Sequence, residues 1–333
     1  MALAIEVHDL VKTYPGGVRA VDGVSFRVPV GTVFGLLGPN GAGKSTIVKV
    51  LTTLTAADSG TAQVVGLDVA AEPERVRRAI GCVFQKAAVD PEATGRENLL
   101  LQGRLYGVRG VRLRHRTDEL LERFGLAEVA GRIARTYSGG MQRKLDVAMG
   151  LLHQPQVLFL DEPTTGLDPQ ARAEVWAELE RLSVDEGLTI LLTTHYLEEA
   201  DALAAQLAIV DAGRVVVQGS PDELKAQLRG DAVVVDVTDA GAQRGGPADP
   251  VTDERVAAAL RSLGDRLHEL TVDGATLRAR VDDGGRAVPS VLAALESAGL
   301  VAASVRVSRP SLDDVYLRYA GRDFASADAG GDR

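Results

Sequence analysis

The chain has 333 residues, which at roughly 150 residues per domain leaves room for about two domains. With 45% hydrophobic and 25% charged residues it has the mix of an ordinary folded protein, which excludes a mainly disordered or fibrous chain. A net charge of −9 excludes the broad basic footprint of a nucleic-acid binder, and the single cysteine, Cys82, excludes an intramolecular disulfide. No stretch approaches the ~20 consecutive apolar residues that a membrane span needs. The opening residues Met1 to Glu6 lack the basic region and apolar core of a signal peptide. A soluble, cytoplasmic chain is expected.

Residues 1–230 are expected to form an α/β domain. Short apolar runs recur at Val33–Leu37, Val157–Leu160, Ile190–Leu192 and Leu207–Val210. Runs of that length without alternation suit strands buried on both faces, as in a parallel sheet covered by helices. Helical patterns lie over Ala171–Leu182 and Tyr196–Leu203, and Asp211-Ala212-Gly213-Arg214 reads as a turn between two strands. From about residue 90 the texture changes. Glu97–Tyr106 and Leu113–Phe124 look helical with no strand-like run between them, which predicts an α-helical insertion over about 90–150. Within it, Leu99-Leu100-Leu101 fits either an ordinary core helix or a docking face.

A second, small α+β unit is expected over 231–322. Val233–Val235, Ala279–Val281 and Val301–Val307 read as strands, and Glu254–Leu263, Val288–Ala298 and Ser311–Tyr319 as helices. The predicted order is β-α-β-β-α-β-α, that of a ferredoxin-like domain. Ala240–Pro247 reads as a flexible loop and residues 323–333 as a disordered tail. His268 has no companions at metal-ligand spacing and is expected to be a surface residue.

Gly38-Pro39-Asn40-Gly41-Ala42-Gly43-Lys44-Ser45 fits G-x-x-x-x-G-K-[ST] in full. An apolar strand ends just before it and Ile47–Leu51 can continue as a helix, the context this phosphate-binding loop requires. Gly41 and Gly43 let successive backbone N–H groups turn inward around a phosphate, while the helix points its positive end at the same anion. Lys44 can neutralise the β- and γ-oxygens, and Ser45 can place a hydroxyl on Mg²⁺. Downstream, Leu158-Phe159-Leu160 ends in Asp161-Glu162. Asp161 stands where a strand-end carboxylate can hold the same Mg²⁺. Glu162, expected to face the other way along the strand, can polarise a water towards the γ-phosphate. His195 follows another apolar strand, 33 residues after Glu162.

Together these residues resemble the nucleotide-binding subunit of ATP-binding cassette (ABC) transporters, in the family's own order over about residues 4–228. The resemblance implies an ABC cassette of the P-loop NTPase fold, with a β subdomain beside the parallel-sheet core. It puts Tyr14 in the place of an aromatic that stacks on adenine, and Gly38 to Thr46 in the phosphate loop. Gln85, after Val83-Phe84, matches the glutamine loop that senses Mg²⁺ and the membrane partner. Ser138-Gly139-Gly140 matches the core of the ABC signature. Asp161 and Glu162 match the metal-binding carboxylate and the catalytic base, Leu167-Asp168 the loop that crosses the dimer, and His195 the switch histidine. The usual Leu-Ser-Gly-Gly-Gln reads here Tyr137-Ser138-Gly139-Gly140-Met141, with Gln142 displaced by one. This variant resembles the daunorubicin-resistance type of exporter ATPase, as do Tyr196–Asp201 after the histidine and Leu312-Asp313-Asp314-Val315-Tyr316 near the end.

The resemblance further implies a head-to-tail homodimer sandwiching two ATP molecules, with Mg²⁺, on the cytoplasmic face of a membrane. In each site one chain supplies Tyr14, the loop, Asp161, Glu162 and His195, and the other supplies Ser138 and Gly140. A separate integral membrane permease would carry the drug or antibiotic. An importer ATPase with a C-terminal regulatory domain, a soluble non-transport ABC ATPase and an ATP-responsive scaffold stay open as alternatives at this point.

Overall fold

The computed structural model describes residues 2–228, 230–239, 253–260, 267–321 and 324. The expected loop at 240–247 and the expected tail at 323–333, apart from Phe324, lie outside the described residues; Phe324 is buried, against the expectation of disorder there. Two compact units are present: Met1–Pro221 with Tyr319–Arg333, and Asp222–Arg318.

The first unit opens with a β-rich region. Strands β1 (Leu3–Tyr14), β2 (Val18–Pro29), β4 (Ser59–Val64) and β5 (Leu67–Asp68) form an antiparallel sheet in the order β2-β1-β4-β5. Strand β3 (Val33–Leu37) and helix α1 (Lys44–Leu51) intervene between β2 and β4, and α2 (Pro73–Ala79) follows β5. The central sheet then takes β3 together with β6 (Ile80–Val83), β7 (Val157–Asp161), β8 (Thr189–Thr194), β9 (Gln206–Asp211) and β10 (Arg214–Gly219). Its order is β10-β9-β3-β8-β7-β6, parallel except for the edge strand β10.

Strands β3, β7 and β8 are buried at every residue. Alternate side chains divide between two cores, which is why the apolar runs are continuous. Leu158, Leu160, Ile190 and Leu192 pack with Leu120, Leu145 and Leu179 from α4 (Gly110–Arg123), α5 (Gly139–Leu151) and α6 (Pro169–Val184). Val157, Phe159 and Leu191 instead pack with Ile47, Val48 and Leu51 of α1 and with Ile5, Val7 and Phe26 of the antiparallel sheet.

Between β6 and β7 lie α3 (Gly95–Leu105), α4 and α5, with two short 3₁₀ turns and no strand. Helix α3 starts at Gly95, two residues before the periodicity suggests. Thr94 and Glu97 form a reciprocal capping box that closes the first turn. Leu99 is fully buried, as a core helix requires, while Leu101 is 50% exposed. Helix α7 (Leu197–Leu203) completes the unit between β8 and β9.

The second unit begins with α8 (Pro221–Ala226), whose first residue closes the first unit. It continues with β11 (Asp231–Asp239), α9 (Asp253–Leu260), β12 (His268–Asp273), β13 (Thr276–Val281), α10 (Gly284–Ser297), β14 (Leu300–Ser308) and α11 (Leu312–Ala320), whose last two residues belong to the first unit. Its sheet is antiparallel throughout in the order β12-β13-β11-β14, the pairing of a split βαβ unit. Val233, Val235, Val281, Val291 and Leu295 fill its core. Residues 261–263, expected to continue α9, lie outside the described residues. His268 is exposed and lies 3.5 Å from Asp282 Oδ1.

Candidate functional site

The phosphate loop runs from the end of β3 into α1. Gly43 sits in the left-handed region (φ +105°) as the residue before the helix, and no side chain caps that helix end. A Cβ on Gly43 would collide with Ala20 O of β2, and one on Gly38 with Val210 O of β9. Backbone therefore closes around the loop where side chains would otherwise fill it, leaving the helix N-terminus to face an anion. Gly43→Ala is expected to cost at least the ~1–2 kcal/mol of a left-handed non-glycine residue. That corresponds to a fall in Tm of about 2–8 °C, with weaker ATP binding measured on the same sample.

Lys44 is nearly enclosed, and its Nζ donates to Gly38 O at 2.6 Å and Pro39 O at 3.0 Å. A cation pinned across the loop's own carbonyls marks the place where phosphate oxygens fit. Ser45 Oγ donates to Asp161 Oδ1 at 3.0 Å, which Thr193 Oγ1 also reaches at 2.5 Å. A hydroxyl and a carboxylate meeting at the loop form the all-oxygen donor set that suits Mg²⁺.

Glu162 corrects one sequence expectation. It does not continue the strand with alternate facing, because β7 ends at Asp161 and Glu162 has φ +49°. That left-handed turn, held by its N–H donating to Thr193 O and Oγ1, aims its carboxylate away from Asp161's partners. Four side chains meet it: His195 Nδ1 at 3.2 Å, Thr165 Oγ1 at 3.3 Å, Gln85 Nε2 at 3.4 Å and Lys44 Nζ at 4.0 Å. The hydrogen bond from His195 holds the Glu162 carboxyl below its ordinary range against the opposing effect of burial, with Lys44 adding to it. Glu162 is thus ionised at neutral pH and able to accept a proton.

Other candidate residues are placed apart from this group. Ser138 caps α5, its Oγ accepting from Met141 N at 3.3 Å. Asp168 caps α6 by accepting from Ala171 N at 2.9 Å. These two helix starts touch, since a Cβ on Gly140 would press on Ala171 Cβ at 2.8 Å. Tyr14 ends β1, paired with Val18, with Lys12 Nζ 5.9 Å from its ring centroid. Among the described residues no hydrogen bond or ion pair links Tyr14, Ser138 or Asp168 to the cradle. The Tyr137 that replaces the signature leucine is buried, and its hydroxyl donates to Val129 O at 2.8 Å. Met141 packs partly into the core beneath the helices.

Sequence reasoning missed two residues. Arg143 is buried on α5 and donates to the carbonyls of Phe84, Asp161, Glu162 and Pro163. Glu199, fully buried four residues after His195, accepts from Thr164 Oγ1 at 2.8 Å and Trp176 Nε1 at 2.9 Å. It thereby ties the start of α7 to the turn after Glu162. Their only signal is a charged residue in an otherwise buried helical register, at Arg143 among Gly140, Leu145 and Val147.

Family models match both parts of the chain. The model for ABC transporters matches residues 21–165, and that for the C-terminal domain of DrrA1-3-like ATP-binding proteins matches residues 219–320. The daunorubicin resistance ATP-binding protein DrrA3 of Streptomyces coeruleorubidus is 48% identical over 320 residues, 96% of each chain. This chain belongs to the ATP-binding subunits of ABC transporters. Within that family it is of the daunorubicin-resistance type, and it is an ATPase. Another relative of this ABC subunit, the linearmycin resistance ATP-binding protein LnrL of Bacillus subtilis, is 33% identical over 96% of this chain and 98% of its own. Among solved structures, an ATP-binding subunit of an ABC transporter superposes with TM-score 0.61 at 30% identity, covering 67% of this chain and 92% of that one. The cassette MJ0796, solved as a dimer bound to ADP and phosphate, gives TM-score 0.60 at 25% identity over 65% of this chain and 98% of its own.

Proposed function

We propose that this ABC ATPase powers the export of a drug or antibiotic through a separate integral membrane permease. The observation that carries the catalytic part is the convergence of His195, Gln85 and Lys44 on the ionised carboxylate of Glu162, beside the Ser45–Asp161 pair. Two copies would pair head to tail over two ATP molecules. In each site Gly38 to Thr46 holds the phosphates, Tyr14 stacks on the adenine, and Glu162 takes the proton of the attacking water. His195 keeps Glu162 ionised and oriented. Ser138, Gly139 and Gly140 of the opposite chain close over the γ-phosphate, and Asp168 lies at the crossing between the chains. Ser45, Asp161 and Gln85 would hold Mg²⁺, which when bound neutralises charge on the β- and γ-phosphates. Closure then depends on the γ-phosphate, and its hydrolysis loosens the pair.

Export, rather than another use of ATP, is supported by relatives that match both the cassette and the C-terminal region and are themselves resistance proteins. A position at the membrane's inner face is supported by the α3–α4 corner. Residues 98–117 contain Arg104, Arg109, Arg112, Arg114 and Arg116 and no acidic residue, in a chain of net charge −9. Leu105 and Val111, 74% and 73% exposed, lie between these arginines, a combination suited to an anionic bilayer surface. The deciding experiment is to identify the membrane protein that co-purifies with this chain and to assay ATP-driven drug transport in vesicles carrying both. Absence of drug transport by an assembled, ATP-hydrolysing pair would overturn the export reading.

Among the described residues no group of three or more His, Cys, Asp or Glu is placed to hold a metal. The accessory region over 231–322 is assigned to stabilising the cassette pair or its contact with the permease. A chain ending at Gly230 is therefore expected to hydrolyse ATP weakly and to be lost from the membrane fraction. Unchanged dimerisation and membrane association, measured by light scattering and fractionation, would remove that role.

A further inference from the structure

We propose that Arg143, with Asp146, is a positioning residue that couples the two ATP sites of the paired enzyme. Through helix α5 it links the signature, which serves the partner's nucleotide, to the backbone that aims Glu162 and Gln85 at the chain's own. The inference rests on the paired-cassette reading above.

The guanidinium of Arg143 has five N–H groups, and all five are engaged. Nε donates to Pro163 O at 2.6 Å, and Nη2 to Asp161 O at 3.3 Å and Glu162 O at 3.2 Å. Nη1 donates to Phe84 O at 2.7 Å and to Asp146 Oδ2 at 3.2 Å. The other oxygen of Asp146, Oδ1, accepts from Ala88 N at 3.1 Å. Two loops are thus gripped on both sides of their working residue. Phe84 O and Ala88 N bracket Gln85, while Asp161 O and Pro163 O bracket Glu162.

What is gripped is the backbone conformation that decides where Glu162 points. Its left-handed φ of +49° is costly for a residue with a side chain and persists only if its surroundings hold it. Three consecutive carbonyl acceptors, Asp161 O, Glu162 O and Pro163 O, on one rigid fork help do that, and a lysine with three rotatable donors cannot reproduce the planar geometry. Burial of Arg143 and Asp146 fixes the pair in place, since a charge withdrawn from water is tolerated only when it is hydrogen-bonded throughout.

The same helix begins at Ser138. Arg143 lies five residues on, about 7.5 Å along the axis at 1.5 Å per residue. In the paired enzyme Ser138 meets the partner's γ-phosphate, so a shift of α5 on that contact is carried to Glu162 and Gln85 through a stiff helical segment and a fully bonded guanidinium. Each site then senses the nucleotide in the other.

The test is ATP hydrolysis by the full-length chain across ATP concentrations, comparing wild type with Arg143→Lys and Asp146→Asn, and with Tm measured on each. Wild type is expected to show a Hill coefficient between 1 and 2, the limit for two sites. Arg143→Lys is expected to lower kcat at least about 10-fold with KM changed less than about 3-fold, the pattern of a lost transition-state placement, and to bring the Hill coefficient to about 1. Asp146→Asn keeps the carbonyl contacts of Arg143 but has one acceptor oxygen where the carboxylate has two, so it loses the charge-assisted contact to Arg143 Nη1 or the contact to Ala88 N. It is expected to lower the Hill coefficient with a smaller loss of kcat. It also decides the matter if Arg143→Lys fails to fold. The proposal is overturned by a wild-type Hill coefficient of 1, or by a folded variant that loses kcat while keeping wild-type cooperativity. Wild-type behaviour of both variants overturns it as well. Failure of the wild type to hydrolyse ATP would count instead against the catalytic reading of Glu162.

Discussion

Glu162→Gln is expected to abolish turnover while leaving ATP binding intact. A positioned general base contributes about 10²–10⁴-fold to a rate, and kcat should fall by that range. The substitution is nearly isosteric, so the contacts from Thr165 Oγ1 at 3.3 Å and Gln85 Nε2 at 3.4 Å can persist on the amide oxygen. The amide cannot accept a proton from water, and it loses the charge that His195 and Lys44 favour. Phosphate contacts from the loop and from Ser45 are untouched. ATP should therefore bind with nearly wild-type affinity by calorimetry while phosphate release stops, and the cassette pair should persist with ATP trapped inside. Near-normal hydrolysis by this variant would remove Glu162 from the role of base.

Lys44→Ala is expected to act one step earlier and prevent nucleotide binding. The ammonium is 4% exposed and is held by two carbonyls of its own loop, so it is already oriented and largely stripped of water. Removing it takes away the charge-assisted contact to the β- and γ-oxygens and leaves Gly38 O and Pro39 O facing an incoming anion. Losing one member of such a desolvated pair costs about 2–5 kcal/mol. ATP affinity should fall by at least about 30-fold, since each 1.4 kcal/mol is tenfold. Titration with ATP measures this directly, and unchanged affinity would count against the cradle. The two substitutions separate binding from chemistry: one leaves a loaded, idle site and the other an empty one.

Much of the site is legible in the residue order, for a local reason. A phosphate loop works through consecutive backbone N–H groups, a glycine-dependent turn and the helix that follows, all within the fourteen residues Gly38 to Leu51. Asp161 and Glu162 are likewise legible because an apolar strand run ends in them. The division of strand residues between two cores explains why four continuous apolar runs read as buried parallel strands. The long strands β1 and β2 carry no comparable signal. Their burial is broken by exposed residues and by register shifts near Leu10, so neither clean alternation nor a continuous run appears.

The chemistry of this protein is determined by its sequence alone: which residues can hold phosphate, metal and proton, and in what order they come. That the second unit alternates β-α-β-β-α-β-α is also legible, because helical and strand periods are properties of neighbouring residues. Only the tertiary structure decides how the catalytic carboxylate is aimed. The left-handed turn at Glu162, the grip of Arg143 on Phe84 across 59 residues and the contact of Gln85 with Glu162 across 77 have no local pattern to announce them. Such long-range hydrogen bonds exist because packing α5 against the ends of β6 and β7 desolvates a guanidinium beside the carbonyls that satisfy it, and no periodicity along a chain encodes that meeting.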